Sequence, residues 1–363
     1  MTLRKVMTET PVLHSLWKSL GAVFENRAGW DLPARFSGAE AEYKAAHHAA
    51  ILLDRSHHGK IFVRGADHIE VMQNILSQDI AALKSGQSCL AALLSAPGVV
   101  LRLMEVYRRE GELLMIVEPG LALGTIEMLQ RYVITEDVRF EDASHEFVWL
   151  ALRGPKSNQI LSAVISSPQG EKSPKSGDFS ATPRNDRLEV FATAWPQDKG
   201  INFLIKNEGA EERVQKILAK GKAAGLKPAG YDAAEILRVE AGIPREGADI
   251  SGEIRLPETG LDDLAASETK GCYPGQEVVA RTKTYGGPAK KLVRLEFDGE
   301  NAPAPGDKIM KDGKEIGWVT SAVFLPGEKG SALGYCGKGF FEKPEEVLIK
   351  STAGEIAAGT LPV

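Results

Sequence analysis

The sequence predicts an α+β protein whose C-terminal part is a small all-β domain. Strand and helix signals mix along most of the chain without the strict β-α-β alternation of a doubly wound sheet. From Lys291 on, short apolar runs (292–297, 315–324, 331–336 and 346–350) are separated by Gly, Pro and Asp clusters, the signature of a small barrel or sandwich. A chain of 363 residues is too long for one typical core, so two or three domains are expected, with a boundary near Gly286-Gly287-Pro288.

Taken in order, Ala39 to Leu53 is rich in alanine and reads as a helix. Lys60 to Val63 reads as a strand after the break at Gly59. Asp67 to Ile80 reads as a helix, because Ile69, Met72, Ile75 and Leu76 share one face at helical spacing and Asp67 suits its start. Strands are expected at 88–94, 99–107 and 112–117, with turns at Pro97-Gly98 and Arg109-Glu110-Gly111. Leu121 to Tyr132 is a helix, Phe147 to Leu152 a strand and Asn158 to Ile165 a short helix. Residues 166–187 have few apolar side chains and read as a long surface connection. Leu188–Thr193 and Ile201–Ile205 read as paired strands around Ala194-Trp195-Pro196-Gln197-Asp198-Lys199-Gly200. Glu211–Ala224 and Ala229–Ala241 are helices. No internal repeat of fixed period is present.

Composition narrows the function classes. The formal net charge of −5 argues against a general nucleic-acid binder. No stretch is long and apolar enough to span a membrane, and Met1 to Val12 lacks the apolar core of a secretory signal. The three cysteines, Cys89, Cys272 and Cys336, are far apart and odd in number, which suits reduced thiols in the cytoplasm. They form no C-x-x-C pair, so no zinc ribbon or self-contained iron–sulfur site is read. His47-His48 and His57-His58 have no completing carboxylate or cysteine at a metal-site spacing, and no metal site is assigned there. No Walker loop, G-x-G-x-x-G or G-x-S-x-G string occurs.

The most distinctive stretch is 269–283, Thr-Lys-Gly-Cys-Tyr-Pro-Gly-Gln-Glu-Val-Val-Ala-Arg-Thr-Lys. Tyr273-Pro274-Gly275-Gln276 reads as a tight turn: proline presets the first central position and glycine takes the second, where φ is positive. Gln276 to Lys283 then reads as a helix or an extended run. Cys272 would lie on a loop before a helix start, where backbone N–H groups favour a thiolate. Lys270, Arg281 and Lys283 add positive charge nearby in sequence. Gly271 and Gly275 leave room for close approach by a ligand or another backbone. Cys89 and Cys336 lie in apolar runs and read as buried small hydrophobes.

Three longer strings carry a family resemblance. Asp54-Arg55-Ser56-His57-His58-Gly59-Lys60-Ile61-Phe62-Val63-Arg64-Gly65-Ala66-Asp67 resembles the D-x-S-H-x-G-K-I-x-V-x-G-x-D segment of the glycine cleavage T-protein (aminomethyltransferase) superfamily. Leu237-Arg238-Val239-Glu240-Ala241-Gly242 resembles the L-R-x-E-A-G string of that family's second domain. Lys270-Gly271-Cys272-Tyr273-Pro274-Gly275-Gln276-Glu277 resembles the K-G-C-Y-x-G-Q-E signature of its YgfZ branch.

The resemblance implies a three-domain ring around a cavity for tetrahydrofolate or a derivative. Its parts would be an N-terminal α+β domain (1–146), a second, ferredoxin-like α+β domain (147–286) and a C-terminal β-barrel (287–363). Two functions follow from it. One is a folate-binding factor that supports assembly or repair of iron–sulfur enzymes, tRNA-modifying ones included, with Cys272 as its functional residue. The partners would then be iron–sulfur enzymes or cluster-assembly proteins. The other is aminomethyl transfer to tetrahydrofolate.

Family T-proteins carry a G-G-x-x-D-D-L segment whose carboxylate sits beside the folate. Here Gly98-Val99-Val100-Leu101-Arg102-Leu103-Met104 stands in its place, and an arginine cannot do a carboxylate's work. Glu105 lies three positions on, an odd offset that turns it to the other face of a strand. Asp198 aligns on the carboxylate with which T-proteins read the pterin, with a solvated Asp-Lys-Gly hairpin turn as the alternative. Arg238 is a candidate for the glutamate tail of folate or for cavity lining, or else pairs with Glu235 one helical turn away. Glu240 carries the same ambiguity.

Overall fold

The computed structural model describes residues 8–165, 188–198, 200–298, 301–324, 329–352 and 354–363. The connection expected at 166–187 lies outside them. The chain forms two compact units, each discontinuous in sequence. The first comprises Met1–His68, Leu83–Ser88 and Glu105–Ala234, and the second Ile69–Ala82, Cys89–Met104 and Glu235–Val363.

The chain opens with α1 (His14–Ser19), the hairpin β1 (Val23–Arg27) and β2 (Trp30–Arg35), α2 (Ala39–His48), β3 (Ala50–Asp54) and β4 (Gly59–Arg64). Next come α3 (His68–Ile75), β5 (Ser88–Leu94), β6 (Val100–Arg109), β7 (Glu112–Val117), α4 (Ala122–Gln130), β8 (Arg139–Asp142), β9 (Phe147–Arg153) and α5 (Ser157–Ile165). They are followed by β10 (Leu188–Ala192), β11 (Ile201–Lys206), α6 (Ala210–Gly221), β12 (Leu226–Ala229) and α7 (Tyr231–Glu240). The remainder holds α8 (Asp262–Ala265), α9 (Gln276–Thr284) and the strands β13 (Lys290–Phe297), β14 (Lys308–Lys311), β15 (Lys314–Val323), β16 (Gly330–Gly337), β17 (Glu346–Ser351) and β18 (Gly354–Pro362).

In the first unit, a five-stranded sheet runs in the order β10-β11-β9-β3-β12. β12 is parallel to β3, while β9 is antiparallel to both β3 and β11. Every residue of β9 is buried, as a central strand covered on both faces requires. Trp17, Leu150, Leu152, Phe203 and Val214 lie in one core cluster. A second cluster gathers Phe62, Tyr107, Trp149 and Phe191, with the Tyr107 ring edge-on to Trp149 at 5.4 Å and to Phe191 at 5.1 Å. β4 pairs with β7 and β8, and residues 105–109 of β6 pair with β7.

In the second unit, β13-β16-β15-β14-β17-β18 close into a six-stranded barrel. Val293, Leu295, Phe297, Ile309 and Ile349 fill its interior. This is the all-β part expected from the Gly- and Pro-punctuated runs. The mixed, mostly antiparallel remainder is α+β, as expected.

Two sequence expectations are corrected. Ala39–Leu53 is not one helix: α2 stops at His48, and Ile51, Leu52 and Leu53 become a buried strand. An apolar run of this length suits either element, and pairing with β9 and β12 decides for strand. The helix expected over Asp67–Ile80 stops at Ile75, because the carbonyls of Gln73, Leu76 and Gln78 turn to the ammonium of Lys270.

Candidate functional site

The 269–283 segment belongs wholly to the second unit. Its turn forms as the Pro-Gly pair dictates: Gln276 N–H donates to the Tyr273 carbonyl at 3.2 Å, and Gly275 has φ 80° and ψ −2°. A side chain there would meet the Ser95 carbonyl at 2.7 Å and Gly98 Cα at 3.0 Å. Gly275 is thus required both by its dihedral and by the backbone pressed against it. The same glycine caps α9, so Gln276 and Glu277 open a helix, the first of the two readings left open by the sequence.

Lys270 and Tyr273 point inward, at 8 % and 7 % exposure, while Gly271 and Cys272 between them are exposed. The ammonium of Lys270 donates to the carbonyls of Gln73 and Leu76 and, at 3.2 Å, to that of Gln78. It also lies 5.1 Å from the centre of the Tyr273 ring. These acceptors are neutral, so burial prevails and lowers the Lys270 ammonium to about 8. The loop is therefore seated at Lys270, Tyr273 and Gly275, and the thiol is carried on the part that faces outward.

The charge expected around the thiol is spent on other groups. Lys283 binds Asp263 and Glu268, at 2.5 and 2.6 Å, and Arg281 meets Glu277 at 3.4 Å. Cys272 is exposed, whereas Cys89 is half-buried and Cys336 buried. Burial pushes the Cys89 and Cys336 thiols up to about 12 each. Among the described residues, no group of three His, Cys, Asp or Glu side chains is placed to hold a metal ion.

Arg102, also in the second unit, pairs with Glu246 at 3.0 Å, and the same carboxylate accepts the Leu103 N–H at 2.9 Å. Arg238 answers the sequence's question plainly. Its five N–H donors go to Glu235 (2.9 and 2.7 Å), the Ile243 carbonyl (2.6 Å), Asp249 (2.7 Å) and Ser321 (2.9 Å). It ties α7 to β15, and the ion pair with Glu235 that its helical spacing allows is formed. Glu240 is half-buried, and its carbonyl accepts from Arg294 at 2.7 Å.

Asp198 lies in the first unit, on the turn between β10 and β11, with its side chain 23 % exposed. It is not a solvated turn residue: Arg153 Nε donates to it from the end of β9. Arg153 heads a chain of buried polar groups that sequence reasoning missed. Its other nitrogens donate to the carbonyls of Leu152 (3.2 Å) and Ile201 (3.0 Å) and to Asn202 Oδ1 (2.9 Å). Asn202 donates to the Tyr107 hydroxyl at 2.8 Å, and Tyr107 in turn to Glu105, which faces Arg55 at 3.6 Å. The one available signal was an arginine closing the apolar run Phe147–Leu152.

The segment around Arg55 is held from within. Lys60, with no exposed surface, donates to the carbonyls of Ser56 at 2.7 Å and His58 at 2.9 Å. Burial lowers its ammonium to about 8. His57 and His58 are buried beside one another, and Arg55 Nε reaches His58 Nε2 at 3.3 Å.

A family model described as the GCVT N-terminal domain matches residues 13–268. The chain belongs to the GCVT family. The aminomethyltransferase of Shouchella clausii is 30% identical over 325 residues, covering 88% of this chain and 87% of that one. That of Caldanaerobacter subterraneus is 29% identical over 326 residues, covering 88% and 85%. The crystal structure of glycine cleavage system aminomethyltransferase T from Bartonella henselae superposes with a TM-score of 0.85, at 23% identity and over 98% and 97% of the two chains, so this GCVT member shares its fold.

Proposed function

We propose that this protein is a folate-binding accessory factor that supports assembly or repair of iron–sulfur enzymes, tRNA-modifying ones included, with Cys272 as its functional thiol. The observation that carries the reading is the contrast among the three cysteines. Cys272 alone is exposed, on a loop seated by Lys270, Tyr273 and Gly275, within a string that resembles the K-G-C-Y-x-G-Q-E signature. An exposed thiol so held can meet a partner's sulfur or metal at the surface. One thiolate does not hold a stable cluster alone, so contact with the cluster would be shared with the partner.

The residue proposed for folate lies in the first unit. A pterin's N3–H and 2-amino group form a donor pair that a carboxylate accepts. Asp198 offers a partly exposed carboxylate of fixed orientation, and a carboxylate has about four acceptor positions, so the bond from Arg153 leaves room for two more donors. The residue that would hold the pterin is therefore Asp198. Bound folate would supply a one-carbon carrier.

A second reading, aminomethyl transfer to tetrahydrofolate, is favoured by the names of the curated relatives. Against it stands Arg102, which occupies the position of the T-protein carboxylate and is itself neutralised by Glu246.

The test of the first reading is complementation of a strain lacking its own factor of this kind, read as activity of an iron–sulfur tRNA-thiolating enzyme. Wild type is expected to rescue and Cys272→Ala to fail, and equal rescue by both would overturn the role of the thiol. For the second reading, the purified protein is expected to release no ammonia above background from an aminomethyl-lipoyl carrier with tetrahydrofolate. Sustained turnover would restore that reading.

A further inference from the structure

We propose that Arg153 is the positioning residue of the pterin site: it orients the Asp198 carboxylate for the ligand without touching the ligand itself. The inference rests on the folate reading above and extends it to a residue outside the resemblance.

The geometry is that of a fixed bracket. The Arg153 side chain is 6 % exposed, and its guanidinium donates to four acceptors in three different places. The Leu152 carbonyl belongs to β9, the Ile201 carbonyl and Asn202 Oδ1 belong to β11, and Asp198 lies on the turn before β11. β9 and β11 are neighbours in the sheet, with Leu152 opposite Ile201. Three of the four acceptors thus sit on rigid strands, and the fourth is the carboxylate to be oriented. A planar fork bound in this way cannot swing, so the carboxylate it holds cannot swing either.

Two neighbours complete the bracket. A side chain at Gly200 would lie 2.4 Å from Arg153 Cδ and from one terminal nitrogen, so the guanidinium can occupy its place only because residue 200 is glycine. Behind Arg153, the chain Asn202–Tyr107–Glu105 is buried, at 0 %, 0 % and 5 % exposure. Asn202 and Tyr107 therefore have fixed partners on both sides, which holds the Asn202 oxygen in place for Arg153.

The energetic consequence has a definite sign. Without Arg153, the Asp198 carboxylate on its hairpin turn loses the donor that orients it, and a ligand must order it on binding. A long uncharged side chain such as methionine fills the space of Arg153 but donates no hydrogen bond. The loss acts through Asp198 and vanishes when Asp198 itself is gone.

The experiment is a double-mutant cycle read by calorimetric titration of folinic acid into the full chain: wild type, Arg153→Met, Asp198→Ala and the double variant. Asp198→Ala is expected to weaken binding by more than about tenfold. Arg153→Met is expected to weaken it about fivefold in the wild-type background and by less than about twofold on top of Asp198→Ala. Arg153→Lys, which keeps the charge and one donor group, is expected to fall between wild type and Arg153→Met, and it provides the same cycle if Arg153→Met does not fold. A loss at Asp198 with no loss at Arg153, or with an equal loss in both backgrounds, overturns the positioning role while leaving the folate reading intact. An unchanged affinity in Asp198→Ala overturns both.

Discussion

The two buried basic residues that matter most, Arg153 in the first unit and Lys270 in the second, solve opposite problems. Arg153 meets a carboxylate, an amide and two carbonyls, and holds the Asp198 side chain. Lys270 meets only neutral carbonyls and an aromatic ring, and holds a backbone loop that presents a thiol. A buried cation with an opposite charge is compensated, whereas one facing only dipoles is compensated in part. Lys270 shows the difference: burial draws its ammonium down to about 8. The Lys270 arrangement is therefore sensitive to pH in the range where its ammonium titrates.

That contrast can be broken by substitution. Arg153→Met leaves Asn202 and Asp198 without their donor and should lower unfolding stability by about 3 kcal/mol, since it strands a partly buried carboxylate and the buried Asn202 oxygen. Lys270→Met should cost less, about 2 kcal/mol, because unpaired carbonyls are left behind but the desolvation of a charge is relieved. Urea unfolding of both variants checks the order, and a larger loss at Lys270 would reverse the comparison.

Lysines in such cages also fix the sign of a pH effect. Lys60 and Lys270 are lowered from 10.5 to about 8 in the folded protein. Between pH 8 and about 10 the unfolded chain then binds more protons than the folded one, so stability rises with pH across that window. Below pH 8 both states hold the proton, and the folded state bears the full desolvation cost. The stability difference between pH 8 and pH 10 should be smaller in Lys60→Met and in Lys270→Met than in wild type. Equal slopes would show that the cages do not depress these lysines. The smallest effect is expected at the surface: Glu277→Ala removes a pair with Arg281 in which both side chains are more than two-thirds exposed, and should change stability by less than about 0.5 kcal/mol.

Much of the second unit's site was legible because it is local. Pro274-Gly275 specifies its turn within four residues, and the apolar runs of the barrel repeat at strand length. β14 and β18 were not legible, because Lys308–Lys311 is half lysine and Gly354–Pro362 is rich in glycine and alanine. Their strand character comes from closing the barrel between neighbours. The partners of Arg238 were half legible: Glu235 lies at helical spacing, but Asp249 and Ser321 arrive through the fold. The Arg153–Asp198 pair was not legible at all. Its members are 45 residues apart and meet through the β9–β11 register. The positive charge expected around Cys272 was misjudged for the same reason, since nearness in sequence says nothing about the acceptors that Lys270 and Lys283 find in the folded chain.

The central claim is that thiol chemistry in this protein is confined to Cys272 by the way the loop presents it. Alkylation of the native protein with iodoacetamide at pH 8, followed peptide by peptide by mass spectrometry, tests it most directly. Cys272 should react roughly 100-fold faster than half-buried Cys89 or buried Cys336, whose thiols burial pushes up to about 12. Comparable rates at Cys272 and at either of the other two cysteines would contradict the account.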